Sequence, residues 1–254
     1  MEKQVPKIIF EDEYIAIINK PAGLIVNRAD TNQGIQTLQN WVDQEIKIQS
    51  AGRRIKISEE TKDFLERSGI VHRLDKDTSG LLIIAKDYIS FLDLQKQFKE
   101  SRVEKTYIAL AHGRVTPEEG EINVPIGRLP WDRKKFGVIP AGRESRTFYK
   151  VLEFKKITDN KRTEDLTLVE LHPKTGRTHQ IRVHLRYLGF PIFGDVLYAG
   201  RKTYRSDKKY IARHFLHATK IKFYHPKTEQ VIEFESPLPK ELLNLLSELE
   251  SFKA

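Results

Sequence analysis

The feature that most constrains the fold of this chain is a succession of short, strand-like apolar runs separated by turn formers. The first two runs, KIIFEDE and YIAIINKP, meet at an acidic turn, and Pro21-Ala22-Gly23 ends the second run. Similar runs follow at residues 105–115, 147–156, 166–176, 214–226 and 230–237. Strands therefore dominate the secondary structure that the sequence predicts.

Helices are interspersed among these strands and do not alternate strictly with them. The apolar spacing predicts helices at residues 37–45, 88–101, 179–188 and 241–252. Their expected apolar positions include Ile89, Leu92, Leu94 and Phe98 in the second helix and Ile181, Val183 and Leu185 in the third. No long internal repeat is visible and no linker divides the chain. The pattern predicts a single α+β domain over residues 1–254, built on a mixed sheet.

The charge of the chain points to an acidic partner. Its formal net charge is +9, from 44 lysines and arginines against 35 aspartates and glutamates. Such an excess favours a polyanion, with nucleic acid ahead of an acidic membrane surface. A lysine-rich surface that keeps the protein soluble would explain the net charge equally well.

The position of the basic residues is more informative than their number. They collect with turn-forming residues at 46–58, 128–136 and 200–215, which are expected to be surface loops or short strand edges. Aromatic side chains stand among these cations, namely Trp131, Phe136, Tyr204 and Tyr210. Cations interleaved with rings are suited to holding phosphates and stacking unpaired bases. The segments therefore favour a nucleic acid as the partner.

Several classes of protein are excluded by what the sequence lacks. There is no cysteine, which excludes disulfides, thiolate metal sites and a cysteine nucleophile. The start of the chain, MEKQVPKIIFEDEY, has no apolar core of a signal peptide, and no run approaches the roughly 20 apolar residues of a membrane helix. We therefore expect a cytoplasmic protein without a membrane partner.

Metal and nucleotide sites also find no support. His172, His179 and His184 are spaced so that they do not share one helical face, and no HExxH motif is present. The segment KTGRTH has one glycine and no phosphate-loop spacing, and no serine stands in a nucleophile elbow. The sequence thus predicts neither a metal nor a nucleotide cofactor.

Carboxylates remain as the candidate reactive groups. Asp75 and Asp77 lie in VHRLDKDTSGLLIIAK, where charges and a Thr-Ser-Gly turn separate two apolar pieces. Two residues apart, they share a face if the chain is extended there. A pair of glycosidase carboxylates is one interpretation of this segment.

A set of motifs, in order along the chain, resembles the RluA family of RNA pseudouridine synthases. The motifs are NKPAGLIV, HRLDKDTSGLLIIAK, EKTYIAL, PIGRLPWDRKKFGV, AGRESRTFYKVLE, HPKTGRTHQIRVHLRYLGFPIFGDVLY, LHATKIKFYHP and FESPLPKEL. Together they run from about residue 7 to residue 240. One position departs from many members, because Asn27 stands where they have His; it lies outside the catalytic motifs.

The resemblance implies a fold, a reaction and a set of site residues. The fold would be the pseudouridine synthase catalytic fold, a mixed, mostly antiparallel sheet with flanking helices. Asp75 would be the nucleophile, Arg73 would fill the gap that a flipped base leaves in the stack, and Tyr107 would lie against the uracil. Arg182 would pair with Asp75 and keep it ionised. His72 and the Thr78-Ser79-Gly80 turn are expected to aim Asp75.

The resemblance also sets expectations for the partners. The substrate would be tRNA or rRNA, held by the basic residues Arg133, Lys134, Lys135, Lys208 and Lys209, with no cofactor and a monomeric enzyme. Many members carry a small S4 domain before the catalytic one; six residues precede the first strand here, so none is expected. Two alternatives stay open: a basic RNA-binding module without catalysis, and a glycosidase that acts on RNA or nucleosides and releases free uracil.

Overall fold

A computed structural model describes residues 5–29, 34–48, 59–159 and 162–252. The chain divides into two compact units. The first unit comprises Met1–Val103 and Lys220–Ser236, and the second comprises Glu104–Thr219 and Pro237–Ala254. The extent of the catalytic domain over residues 1–254, with no S4 domain ahead of it, stays a prediction.

The described residues contain twelve strands and six helices. In chain order they are β1 (Lys7–Glu11), β2 (Ile15–Lys20), α1 (Leu38–Glu45), α2 (Glu59–Glu66), β3 (Ser79–Ala85), α3 (Tyr88–Lys99), β4 (Glu104–His112), β5 (Glu119–Asn123), β6 (Ile126–Leu129), β7 (Asp132–Val138), β8 (Arg146–Asp159), β9 (Arg162–Pro173), α4 (Gln180–Tyr187), α5 (Arg201–Asp207), β10 (Leu216–Tyr224), β11 (Val231–Glu235), α6 (Lys240–Glu248) and β12 (Glu250–Phe252). No helix in this described part is both long and apolar enough to cross a membrane.

The first unit is built on an antiparallel sheet in which β2 lies between β1 and β3. Ile17 faces Ile83 across the β2–β3 pair, and both side chains are fully buried. Every residue of β3 is buried, as its unbroken apolar run SGLLIIA indicates. Phe91 and Leu94 of α3 join these side chains in one core cluster. The loop that holds Asp75 leads directly into this buried strand.

The buried face of α3 differs in part from the predicted one. Leu94 is fully buried, but Ile89 is 70% and Leu92 43% exposed. The helix instead buries a stripe that contains Ser90, Phe91, Leu94 and Gln97. Polar Ser90 and Gln97 replace two of the expected apolar positions, because their side chains hydrogen-bond to Asp87 and to Tyr224 of the same unit. The prediction of an amphipathic helix was correct, but two of its four expected apolar positions, Ile89 and Leu92, are exposed.

The second unit contains the long β8–β9 hairpin, with β4 beside β9 and with β5 and β12 beside β8. All these pairings are antiparallel. Leu166, Val169 and Leu171 of β9 are fully buried, and Ile181 and Leu185 of α4 belong to the same core cluster. The third helix therefore buries its apolar positions as predicted. The expected α+β class with a mixed, mostly antiparallel sheet is confirmed.

Two segments are structured differently from their prediction. The last predicted helix, residues 241–252, ends at Glu248, and Glu250–Phe252 form β12 against β8. The basic segment 200–215 contains helix α5 where a loop or strand edge was expected. By contrast, the segment 128–136 lies in the short paired strands β6 and β7 and their connection, where a loop or short strand edge was expected. The third basic segment, 46–58, falls largely outside the described residues.

Candidate active site

Asp75 lies in the first unit, on the loop between α2 and β3. Its backbone carbonyl accepts a hydrogen bond from Thr78 N–H at 3.2 Å, which closes the turn that precedes β3. Leu74 is buried and Arg73 is exposed, while Asp75 itself is half-buried. The turn that carries the Asp75 carboxylate is therefore closed by a backbone hydrogen bond.

A buried lysine fixes the backbone beside Asp75. Lys20, at the end of β2, is completely inaccessible to solvent, and its ammonium donates to the carbonyl oxygens of Pro21, Leu24 and Lys76 at 2.8, 3.0 and 3.0 Å. Gly23 N–H also donates to the carbonyl of Lys76 at 2.9 Å. The loop after β2 is thus tied to the residue that follows Asp75. Sequence reasoning missed this role, although a lysine inside the apolar run IAIINKP was a visible signal.

Replacing Lys20 with Met is expected to lower the free energy of unfolding by about 3 kcal/mol, because three carbonyl groups lose a buried, charged donor. The turnover rate at saturating RNA should fall as well, since the turn that carries Asp75 loses its anchor. Urea titration and steady-state kinetics measure the two effects. Lys62→Met, at a lysine that is 64% exposed, should change stability by less than about 0.5 kcal/mol. Equal stability of the two variants would contradict the anchoring role.

His72 holds the same loop from its other end. Its Nε2 atom accepts a hydrogen bond from Ile83 N–H at 2.9 Å, and its ring lies against Phe98 at 4.7 Å between centroids. Before this segment, Gly69 has a φ of 69°, and a Cβ there would lie 2.0 Å from the carbonyl oxygen of Ala85. Only glycine fits that close approach. These contacts agree with the expectation that His72 shapes the loop.

Arg182 lies in the second unit, on α4, and forms an ion pair with Asp195. The Nε and Nη2 atoms donate to the two carboxylate oxygens at 2.7 and 2.9 Å, and both side chains are almost completely buried. The guanidinium also lies over the ring of Tyr198, 5.0 Å from its centroid. A bidentate pair with a stacked face fixes the orientation of Arg182. Pairing of Arg182 with Asp75 stays a prediction.

Asp195 is a site residue that the sequence analysis missed. Burial acts to raise its pKa, but the hydrogen bonds and charge of Arg182, the charge of His214 and the N–H of Leu197 outweigh it and lower the pKa below its ordinary value. The carboxyl is therefore ionised at neutral pH and stabilises the buried guanidinium. A lone carboxylate inside the apolar run GFPIFGDVLY was the signal that could have found it.

The start of α4 is held by a second group of contacts. His179, which precedes the helix, has a left-handed φ of 57°, which is uncommon for a residue other than glycine. Its Nδ1 atom lies 2.9 Å from the hydroxyl of Tyr198. Gln180 accepts from Thr175 Oγ1 at 2.7 Å and donates to the carbonyl of Arg146 at 3.0 Å. The loop KTGRTH is thus an anchor for the helix that presents Arg182.

Tyr107 lies on β4 in the second unit, opposite Leu171 of β9, and packs against the core of that unit. The side chain is half-buried, so part of it remains accessible. Lys105 shares its face of the strand, two residues earlier. Burial and the charge of nearby Lys174 lower the pKa of Lys105 to about 8. Lys105 is a second residue that the sequence analysis did not single out.

The three histidines of the rejected metal site each have a different environment. His172 lies 2.9 Å from Glu170, His179 contacts Tyr198, and His184 lies 2.9 Å from Thr147 Oγ1. Burial lowers the pKa of His184 to about 4, which keeps the imidazole neutral at physiological pH. Within the described ranges, no group of three or more His, Asp or Glu side chains is arranged to hold a metal ion.

Two basic surfaces of the second unit carry the predicted RNA-binding residues. On β7, Arg133 and Lys134 are exposed, and Lys135 is paired with Asp132 at 3.4 Å. Lys208 and Lys209 follow α5 and are exposed. The acid of that segment, Asp207, is buried, where it accepts from Gly194 N–H at 3.0 Å and lies 2.9 Å from His112. The charged side chains that this segment exposes are therefore cationic.

The comparisons with known proteins identify the family. A family model described as RNA pseudouridylate synthase matches residues 14–187, more than half of the chain. The chain belongs to this family. An uncharacterized RNA pseudouridine synthase of Bacillus subtilis is 38% identical over 242 residues, which cover 95% of this chain and 72% of that protein. The ribosomal large subunit pseudouridine synthase D of Nitrosomonas europaea is 37% identical over 243 residues, 94% of this chain and 64% of that protein.

A solved structure agrees with the family assignment. Human RNA pseudouridylate synthase domain containing 1 matches with a TM-score of 0.71 and 26% identity, over 99% of this chain and 92% of that chain. The expected pseudouridine synthase fold is thus confirmed. As an RNA pseudouridine synthase, the protein is an isomerase that modifies RNA. The chain spans between 64% and 72% of the two curated relatives named above.

Proposed function

We propose that this RNA pseudouridine synthase isomerises specific uridines of tRNA or rRNA, with Asp75 as the nucleophile. The observation that carries the proposal is the half-buried Asp75 on a turn anchored by Lys20 and His72, inside the motif HRLDKDTSG. An anchored carboxylate can be aimed at one atom of a substrate, which a solvated side chain does less well.

The reaction explains why a single carboxylate suffices. The N1–C1′ glycosidic bond of the uridine breaks, the freed uracil turns, and it is rejoined to the ribose through C5. Bond cleavage develops positive charge on the ribose, which an ionised carboxylate stabilises or traps. Uracil is both leaving group and incoming nucleophile, so water must be kept out. The reaction includes no redox step and no phosphate transfer, and we propose that no nucleotide cofactor takes part.

The other residues have roles that follow from extrusion of the base into a pocket. Exposed Arg73 would fill the gap in the stack, and half-buried Tyr107 would lie against the uracil. Arg182 would pair with Asp75. Its bidentate ion pair with Asp195 uses the Nε and Nη2 atoms and fixes the orientation of the guanidinium.

The basic surfaces would supply affinity for RNA without taking part in the chemistry. Neutralising Lys134 with Lys135, or Lys208 with Lys209, is expected to weaken binding and to lower the log–log salt slope by roughly 0.7–0.9 for each lost phosphate contact. The turnover rate at saturating RNA should barely change.

Binding isotherms at several salt concentrations measure this slope. The matched control neutralises Lys96 and Lys99, two exposed lysines in the last turn of α3. A slope that stays unaltered in both test variants would mean that these charges only face solvent.

Two classes of RNA remain part of the proposal. The Nitrosomonas europaea relative is named for the large ribosomal subunit, which supports rRNA, and the compact RluA-type resemblance includes tRNA as well. A monomeric state and a cytoplasmic location remain part of the proposal. Mapping of pseudouridines in total RNA from a deletion strain would identify the target, because every position that this enzyme modifies should lose its pseudouridine.

Product analysis tests the reaction against both alternatives. RNA incubated with the enzyme and digested to nucleosides should contain new pseudouridine, with the strands uncut and no free uracil. A glycosidase would release uracil in proportion to turnover, and a binding module would leave every uridine unchanged. Either outcome would contradict the proposal.

A further inference from the structure

The two-stranded ribbon formed by β6 and β7 presents a tryptophan at its tip. Pro130 and Trp131 make the two-residue connection between the strands, and the side chain of Trp131 is 78% exposed. This is the largest exposed fraction of any large apolar side chain in the described ranges. A ligand that covers this ring would remove a large apolar area from water, so the tip is well placed to contribute binding energy.

The base of the ribbon is fixed to the helix that carries Arg182. Phe136 N–H donates to the hydroxyl of Tyr198 at 3.0 Å, and the Phe136 ring meets His179 edge-on at 5.6 Å. Ile126 of β6 packs with Val183 and Tyr198 in one buried cluster. A tip on a fixed base is positioned relative to Arg182 without a flexible linker. A ligand bound at the tip is therefore held at a fixed position relative to Arg182.

The chemistry around Trp131 favours a single-stranded polyanion. The segment 128–135 holds four cations, Arg128, Arg133, Lys134 and Lys135, and one carboxylate, Asp132, which pairs with Lys135. Arg128 also lies over the ring of Phe136 at 4.8 Å. A protein partner for an apolar residue would need a wider apolar patch than one ring among charges. A flat ring flanked by cations matches a base beside its phosphates.

We propose that Trp131 stacks on an unpaired base of the substrate RNA, at a position other than the target uridine. The preferred substrate is then a loop, bulge or single strand, in which a second base can leave its stack, and not a continuous duplex. This inference rests on the proposed function for the identity of the ligand. It adds a specificity-determining contact outside the reacting base.

Intrinsic fluorescence tests the contact directly, because the chain has two tryptophans and the other, Trp41, is only 9% exposed. A stem-loop RNA should quench the signal that Trp131 contributes, obtained as the difference between wild type and Trp131→Phe. A perfect duplex with the same number of phosphates should leave that signal nearly unchanged. Equal quenching by both RNAs, or quenching only by anionic lipid vesicles, would overturn the inference.

Affinity gives an independent measurement. Trp131→Ala should weaken binding of the stem-loop about tenfold, within the range for loss of one base-stacking contact, and Trp131→Phe should retain most of the affinity. The control Ile89→Ala removes a side chain that is 70% exposed and has no ring; its affinity should equal that of wild type. An unchanged dissociation constant for Trp131→Ala would also overturn the inference.

The two proposals fail in distinguishable ways. If the wild type isomerises uridines while Trp131→Ala binds the stem-loop normally, the stacking contact is wrong and the function stands. If quenching and the affinity loss are seen but no RNA is isomerised, the contact stands and the catalytic proposal fails.

Discussion

Replacing Asp75 with Asn is expected to reduce turnover by about four powers of ten or more, with little change in folding or in affinity for RNA. The side chain keeps its size and its place on the turn, but the amide can neither trap nor stabilise positive charge on the ribose. Single-turnover assays detect the remaining activity, and thermal unfolding with an RNA titration verifies that the protein is otherwise intact.

Asp77→Asn is the matched control for this substitution. Asp77 lies two residues away in the same turn and is also half-buried, so its replacement removes an equal charge from the same region. We expect a mild effect. Equal loss of activity in both variants, or an Asp75→Asn enzyme that still turns over, would remove Asp75 from its role.

The second large effect is expected at Asp195. Asp195→Asn should lower the free energy of unfolding by about 3–5 kcal/mol, because it leaves the buried guanidinium of Arg182 without a counter-charge. Asp63→Asn is the control: Asp63 pairs with Arg67, and both side chains are 48% exposed. Its cost should be below about 1 kcal/mol. Urea unfolding measures both variants, and similar costs would contradict a specific role for the buried pair.

A double variant separates stability from catalysis at this pair. Arg182→Met combined with Asp195→Leu removes both charges, so it should regain part of the stability that Asp195→Asn loses. Its activity should stay low, because the proposed partner of Asp75 is gone. The pH dependence follows from the lowered pKa of Asp195: the stabilisation is complete at neutral pH and is lost as the pH falls through the folded-state pKa.

The sequence predicted those elements whose apolar residues repeat clearly. The third helix was placed within one residue at each end, and its apolar positions Ile181, Val183 and Leu185 are buried. The first two strands and the long hairpin β8–β9 also lie where their runs indicated. In these segments local pattern and tertiary packing favour the same structure, which is why pattern alone was sufficient.

The elements that were missed depend on contacts distant in sequence. The basic segment RKTYRSD gives no apolar stripe, yet it forms α5, whose last residue Asp207 contacts His112 and accepts from Gly194 N–H. The final residues Glu250–Phe252 continue a helical pattern, but they pair with Phe154 and its neighbours on β8. Neither partner can be inferred from the segment itself.

The candidate site divides in the same way. Motif order singled out Asp75, Tyr107 and Arg182, but the residues that hold them were hidden. Lysine is almost never fully buried, so the complete burial of Lys20 could not be predicted from its residue type. The apolar run around it was the only local signal. Asp195 lies thirteen residues after Arg182 along the chain, and only the fold shows their bidentate pair.

Release of tritium from C5 of uridine tests the central claim most directly, because joining uracil to ribose through C5 requires the C5 hydrogen to leave. RNA transcribed with uridine tritiated at C5 should release tritium to water when the wild-type enzyme is added, without added metal or nucleotide. Release should vanish with Asp75→Asn, persist with Asp77→Asn, and leave the RNA uncut with no free uracil. Absence of release by the wild type from every tRNA and rRNA pool, or release that survives in Asp75→Asn, would contradict the account.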